Sequence, residues 1–112
     1  MLPSSVRILV CTEPQDMRRS FDRLAEVVRT QLGEEPQSGA LFVFVGKRAT
    51  RVKVLWWDQN GYCLLYKRLH RALFVAPAAE QSAKAVHIDS AALKQLLAGV
   101  AHEKKRREEP LH

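Results

Sequence analysis

No apolar run in this 112-residue chain approaches the roughly 20 residues that a membrane-spanning helix needs. The start, Met1-Leu2-Pro3-Ser4-Ser5, has no basic stretch leading into an apolar core, so export is not expected and a cytoplasmic location is. Cysteine is scarce: Cys11 and Cys63 are far apart and form no CxxC pair. Each lies in an apolar, strand-like run, which suits buried thiols better than a disulfide framework or a zinc site. The histidines, at 70, 87, 102 and 112, have no metal-ligand spacing. Gly46-Lys47 lacks both the upstream glycine and the following serine or threonine of a phosphate-binding loop. Ser20 has no histidine at a suggestive spacing. Asp16 and Asp22 are six apart and would point to different sides of a helix, while Asp58 falls in a turn. No paired carboxylates for a two-metal nuclease are evident, and a nuclease is only the third of three readings. No catalytic residue, metal site or cofactor is expected, and enzymatic activity is not.

What the chain does have is segregated positive charge. Between positions 40 and 75 stand seven basic residues, Lys47, Arg48, Arg51, Lys53, Lys67, Arg68 and Arg71, against the single acid Asp58. That surplus equals the whole formal net charge of +6. A solvated surface would mix both signs. Charge gathered in one segment attracts polyanions, nucleic acid first and an anionic membrane surface second.

Hydrophobic spacing outlines the elements. Residues 6–11 (VRILVC) read as a short strand. Residues 12–15 then read as a helix entrance, since Thr12 or Glu13 can cap and Pro14 suits a first turn. From Asp16 the apolar residues Met17, Phe21, Leu24, Val28 and Leu32 recur at steps of three and four, and Gly33 is placed to end the helix. Residues 40–45 (ALFVFV) are continuously apolar, as in a strand buried on both faces. Residues 51–57 and 62–69 read as two more strands, joined at Asn60-Gly61, a strong hairpin signal. Residues 73–76 and 84–88 are candidates for short strands. Asp89 is placed to cap a second helix carrying Leu93, Leu96, Leu97 and Val100. The expected fold is α+β: an antiparallel sheet of four to five strands, a helix packed on one face and a short C-terminal helix. One domain is expected over residues 1–102, and a charged, disordered tail over 103–112 (EKKRREE and beyond).

Strand side chains alternate between faces. A loop made of Asn60-Gly61 pairs Lys53 with Arg68 and Arg51 with His70. A four-residue loop over 58–61 shifts the partners by two without exchanging the faces. In either register Arg51, Lys53 and Arg68 share a surface with Trp57 and Tyr66, while Val52, Val54, Trp56, Cys63, Leu65 and Leu69 share the other, interrupted by Lys67. The aliphatic face is expected beneath the first helix and the basic one in solvent. Like charges opposed on a sheet are destabilising, so some other benefit should retain them. A bound polyanion would supply it, with Lys and Arg on phosphates and aromatic rings on unpaired bases. The competing reading is a half-solvated sheet whose charge serves solubility. Arg18 and Arg19 either extend the basic surface or pair with Asp22 or Glu26. The candidate nucleic-acid-binding set is Arg18, Arg19, Lys47, Arg48, Arg51, Lys53, Tyr66, Lys67, Arg68 and Arg71.

Several blocks resemble a known family. Asp16-Met17-Arg18-Arg19-Ser20-Phe21-Asp22-Arg23-Leu24 is similar to the DMR(K/R)xFDxL signature of the TnpB, or Orf2-like, accessory proteins of bacterial insertion-sequence family sixty-six. Leu41-Phe42-Val43-Phe44 with Gly46-Lys47-Arg48 resembles LFVFxGRR, and residues 52–58 resemble (I/V)KVLWWD. Gly61, Cys63-Leu64 and residues 66–69 resemble GxCLxxKRL. The resemblance implies a small protein encoded beside a much larger transposase, which holds the catalytic acids of transposition. The implied role is accessory, through transposon DNA or contact with that transposase. The leading expectation is a nucleic-acid-binding accessory protein. The alternative is a protein–protein adaptor for the transposase, using Trp57, Leu64 and exposed helix faces. No membrane partner is expected.

Overall fold

In the computed structural model, residues 6–80 and 82–101 are described. The expected tail over 103–112 lies outside them. The chain forms β1 (Ile8–Cys11), α1 (Phe21–Val27) running on as a π-helical turn (Val28–Leu32), β2 (Leu41–Val45), β3 (Arg51–Asp58), β4 (Gly61–Arg68), β5 (Ala72–Leu73), β6 (Ala85–Ile88), α2 (Ser90–Ala98) and β7 (Val100–Ala101). The fold class is α+β, as expected. Five strands make one sheet in the order β4-β3-β2-β1-β6, and β5 pairs with β7 in a small second one. All pairings in the large sheet are antiparallel except β1 with β2, which α1 connects as a crossover.

The first helix starts at Phe21, five residues later than its apolar spacing suggests. The intervening residues have other partners. Thr12 extends the pairing of β1 with β6: its N–H donates to the Lys84 carbonyl and its hydroxyl to that of Ala83. Gln15 bridges to Gly46, and the Gln15 N–H reaches the Val45 carbonyl at 3.0 Å. Asp16 closes a separate turn, its carboxylate accepting the Arg18 N–H and its carbonyl that of Arg19. Gly33, at φ +65°, ends the helical stretch in the left-handed conformation, as its position implied. Asp89 caps α2 as expected, accepting the Ala92 N–H at 2.8 Å.

The strand run at β2 is buried on both faces, as its unbroken apolarity implied. Leu41, Val43 and Val45 join Ile8, Val10, Val52, Val54 and Phe74 beneath Leu93 and Leu96 of α2. Phe42 and Phe44 join Leu9, Cys11 and Leu55 beneath Leu24 and Val27 of α1 and Val28 of the turn that continues it. This corrects the assignment of faces. The first helix covers the side that bears Leu55, Tyr62 and Leu64, the same side as Lys53 and Tyr66. The Val52, Val54 and Trp56 side belongs to α2. The register dictates this, because Phe42 pairs with Leu55 and Phe44 with Lys53, and both phenylalanines lie under α1. Fully burying a side chain of this size contributes about 1.5–3 kcal/mol, so an apolar row outweighs one lysine in choosing the covered face. Phe21, expected on the buried stripe, is 43% exposed.

Candidate nucleic-acid interface

The β3–β4 hairpin pairs Arg51 with Arg68, Lys53 with Tyr66, Leu55 with Leu64, and Asp58 with Gly61. This is the register of the shifted alternative. The connection itself is Gln59-Asn60, with Gln59 at φ +53°, one residue earlier than the Asn-Gly step. The even loop places Arg51 and Arg68 side by side, both exposed, at the end of the sheet where β2 turns into β3.

A cleft of about 490 Å³ opens at that end. Its charged lining is Arg18, Lys47, Arg48, Arg51 and Arg68, with Asp16 as the one acid. Two local features shape it. Gly46 brings the hairpin against the segment ahead of α1: a Cβ there would stand 2.7 Å from Met17 Cγ. Gln15, 3% exposed, ties that segment down. The Gln15 Oε1 accepts from Arg19 Nη1 at 2.9 Å, and its Nε2 donates to the Glu13 carbonyl and to Gln31 Oε1. Nothing in the sequence marks Gln15 for this, since it stands in what reads as a helix entrance.

Arg18 pairs with Asp16 at 2.7 Å, not with Asp22 or Glu26. The side-chain and backbone hydrogen bonds from Arg18 hold the Asp16 carboxyl well below the usual carboxylate range, and the same contact raises Arg18. Among the described residues, no carboxylate lies within ion-pair distance of Arg51, Arg68, Lys47 or Arg48.

Lys53 is not on the open surface. It is 5% exposed, its Nζ donates to the Arg19 carbonyl, and it lies 4.7 Å from the centroid of the Tyr66 ring. Tyr66 itself is 50% exposed, and its hydroxyl accepts from Arg51 Nη1 at 3.3 Å. Arg19 is a clasp between Gln15 and Lys53 and does not line the cleft. Lys67 points to the α2 side, where its Nζ donates to the Leu97 carbonyl at 2.8 Å, a favourable place for a cation near a helix C-terminus. Arg71 is exposed in the bend before β5 and is not among the lining residues. The predicted set therefore divides: Arg18, Lys47, Arg48, Arg51 and Arg68 converge with Tyr66 alongside, while Lys53, Arg19, Lys67 and Arg71 do not join the lining.

The groups proposed for other chemistry are apart. Asp58 sits at the end of β3 opposite Arg51, and Asp16 is held by Arg18. Among the described residues, no three His, Cys, Asp or Glu side chains are grouped to hold a metal ion. Trp57 packs edge-on against Tyr62, with centroids 5.0 Å apart, and Leu64 lies against the α1-side core. Among the described residues no helix is long and apolar enough to cross a membrane.

Residues 6–107 match the family of IS66 Orf2 like proteins. The chain belongs to that family. The IS66 Orf2-like assignment suggests an accessory role in transposition, in keeping with the motif resemblance. Two relatives come from Sinorhizobium fredii (strain NBRC 101917 / NGR234). The uncharacterized protein y4hO is 45% identical over 102 residues, covering 89% of this chain and 87% of that protein. The uncharacterized protein y4jC is 34% identical over 95 residues, covering 85% and 80%. No solved structure matches.

Proposed function

We propose that this IS66 Orf2-like chain is a non-enzymatic transposition accessory protein that holds nucleic acid by its phosphate backbone at the cleft between the β2–β3 hairpin and the segment preceding α1. One observation carries the reading: Arg51 and Arg68 are exposed, opposed across β3 and β4, and without a carboxylate partner among the described residues. Such a pair costs stability in the free protein and is relieved by a bound anion. Lys47, Arg48 and Arg18 extend the same positive wall. Backbone contacts of this kind position a nucleic acid without reading its sequence. Transposon DNA is the natural ligand, and the protein works in the cytoplasm as one domain.

The test is a salt titration of binding to DNA with wild type and the Arg51→Gln/Arg68→Gln double variant. Affinity should fall steeply with salt, and the variant should bind weakly with a shallower salt slope. Lys53 is unsuitable for this substitution because it is buried. Unchanged binding in the double variant would end the proposal.

A second reading, an adaptor for the larger transposase, draws on a different region. Val75 and Val100, both exposed, flank a groove with Pro77, Ile88 and Leu96 beside α2. Co-purification of the transposase at high salt, lost in Val100→Asp, would favour it over nucleic-acid binding.

A further inference from the structure

We infer that the cleft takes its nucleic acid as a single strand, with one base stacked on the outer face of Tyr66 and the neighbouring phosphates on Arg51 and Arg68. The inference rests on the polyanion-binding reading and adds the class of strand. Tyr66 is a ring presented and held. Its inner face meets the Lys53 ammonium, 4.7 Å from the centroid. That ammonium is itself fixed to the Arg19 carbonyl. The phenol edge is held by Arg51. With the inner face occupied and half of the residue exposed, the outer face is the one left to solvent.

The surroundings continue the path. A second cavity, about 310 Å³, is lined by Arg51, Tyr66 and Arg68. The two arginines also line the larger cleft, so they form a wall common to both. A chain of phosphates lying along Lys47 and Arg48 would cross the arginine pair and bring its next base to the ring. β4 is an edge strand, so no further strand of the sheet screens Tyr66. Stacking on an aromatic ring beside a cationic groove is a sequence-tolerant way to hold unpaired bases. A duplex keeps its bases stacked on each other and offers this ring nothing but backbone. If Tyr66 served only to cover Lys53, neither strand type would gain from it.

The test compares short labelled oligo-dT, oligo-U and a duplex of equal length by fluorescence anisotropy at low salt, with wild type, Tyr66→Leu, Tyr66→Phe and the Arg51→Gln/Arg68→Gln double variant. The single strands should both bind more tightly than the duplex. Tyr66→Leu should lose about 5- to 150-fold on the single strands and nothing on the duplex, whereas Tyr66→Phe should keep its affinity. A 2-aminopurine within oligo-dT should be quenched by wild type and Tyr66→Phe but not by Tyr66→Leu. Circular dichroism and melting of each variant establish that it is folded. If a folded Tyr66→Leu binds oligo-dT like wild type, or the duplex binds as tightly as the single strand, the stacking inference is overturned. Should the Arg51/Arg68 variant weaken both strand types in that same experiment, the polyanion reading survives it. If no oligonucleotide binds in a salt-sensitive way, both fall together.

Discussion

Replacing Arg68 with glutamine should make the protein more stable and a poorer ligand for polyanions at once. Arg51 and Arg68 are direct cross-strand partners and both are exposed. Like charges in that position cost about 0.2–1 kcal/mol. Coulomb's law agrees in scale, since two unit charges roughly 6 Å apart in water repel by about 0.7 kcal/mol. Arg68 is the partner to change, because Arg51 also holds the Tyr66 hydroxyl. With about 4–8 °C of melting temperature per kcal/mol in a small domain, Arg68→Gln should melt about 1–8 °C higher at low salt. In about 1 M salt the screening length shrinks to about 3 Å, and the gain should disappear. Binding should move the other way, with the slope of log affinity on log salt falling by about 0.7–0.9 for one lost phosphate contact. Thermal melts at the two salt levels, beside one DNA titration, measure both signs. A variant that melts lower at low salt, or gains equally at both levels, would mean that the pair is not repulsive. The physical reason for expecting an anion there would then be gone.

Gly46→Ala would set a Cβ 2.7 Å from Met17 Cγ and 3.4 Å from the Arg51 carbonyl oxygen. It should cost about 1–3 kcal/mol in urea unfolding, and Met17→Ala in the same chain should recover part of that. Asp89→Ala removes the acceptor for the Ala92 N–H and should cost about 1 kcal/mol, measured the same way. The Asp16 carboxyl is depressed in the folded state by its bonds from Arg18. Its contribution to stability is therefore complete above the ordinary aspartate pKa of about 4 and is lost as pH falls below it toward the lowered folded value. Asp16→Asn should flatten that acid limb in pH-dependent melts, and at neutral pH it should tighten DNA binding by removing the acid from the cleft.

Much of this architecture was legible because several signals agreed. Unbroken apolarity marked β2 as doubly buried, alternation and a tight turn marked the β3–β4 pair, and Asp89 marked the start of α2. Where the reading failed, a tertiary partner decided. Met17 continues the helical spacing back toward Asp16, but Gln15 and Thr12 are drawn into the sheet at Gly46 and Lys84, so the helix begins only at Phe21. The parity of β3 was right and its orientation was inverted. From alternation alone, Arg51, Lys53, Leu55 and Trp57 look like the wet side. Only the register against Phe42 and Phe44 shows that Leu55 and Lys53 lie under α1. A lysine in mid-strand also carries no local sign of whether its ammonium reaches solvent or, as here, a carbonyl of the neighbouring segment.

That inversion moves the candidate site without abolishing it. Helices cover both faces of the sheet, so its central strands have no open face for a ligand, and an extended basic platform of the kind used by sheet-based nucleic-acid binders is ruled out for β2 and most of β3. What stays accessible is the sheet's end and its β4 edge. Arg51 begins β3 and Arg68 ends β4, so both lie where helical cover has run out. Lys47 and Arg48 occupy the loop beyond, and Arg18 approaches from the segment that Gln15 fastens to Gly46. The buried Lys53 then takes a different part. Lying one alternation inward from Arg51 on the same side of β3, it supports the ring of Tyr66 from beneath, while Arg51 holds that ring at its rim. A narrow end with one presented ring suits a flexible strand entering edgewise better than a broad, rigid duplex, and it makes Tyr66 the residue whose substitution should separate the two.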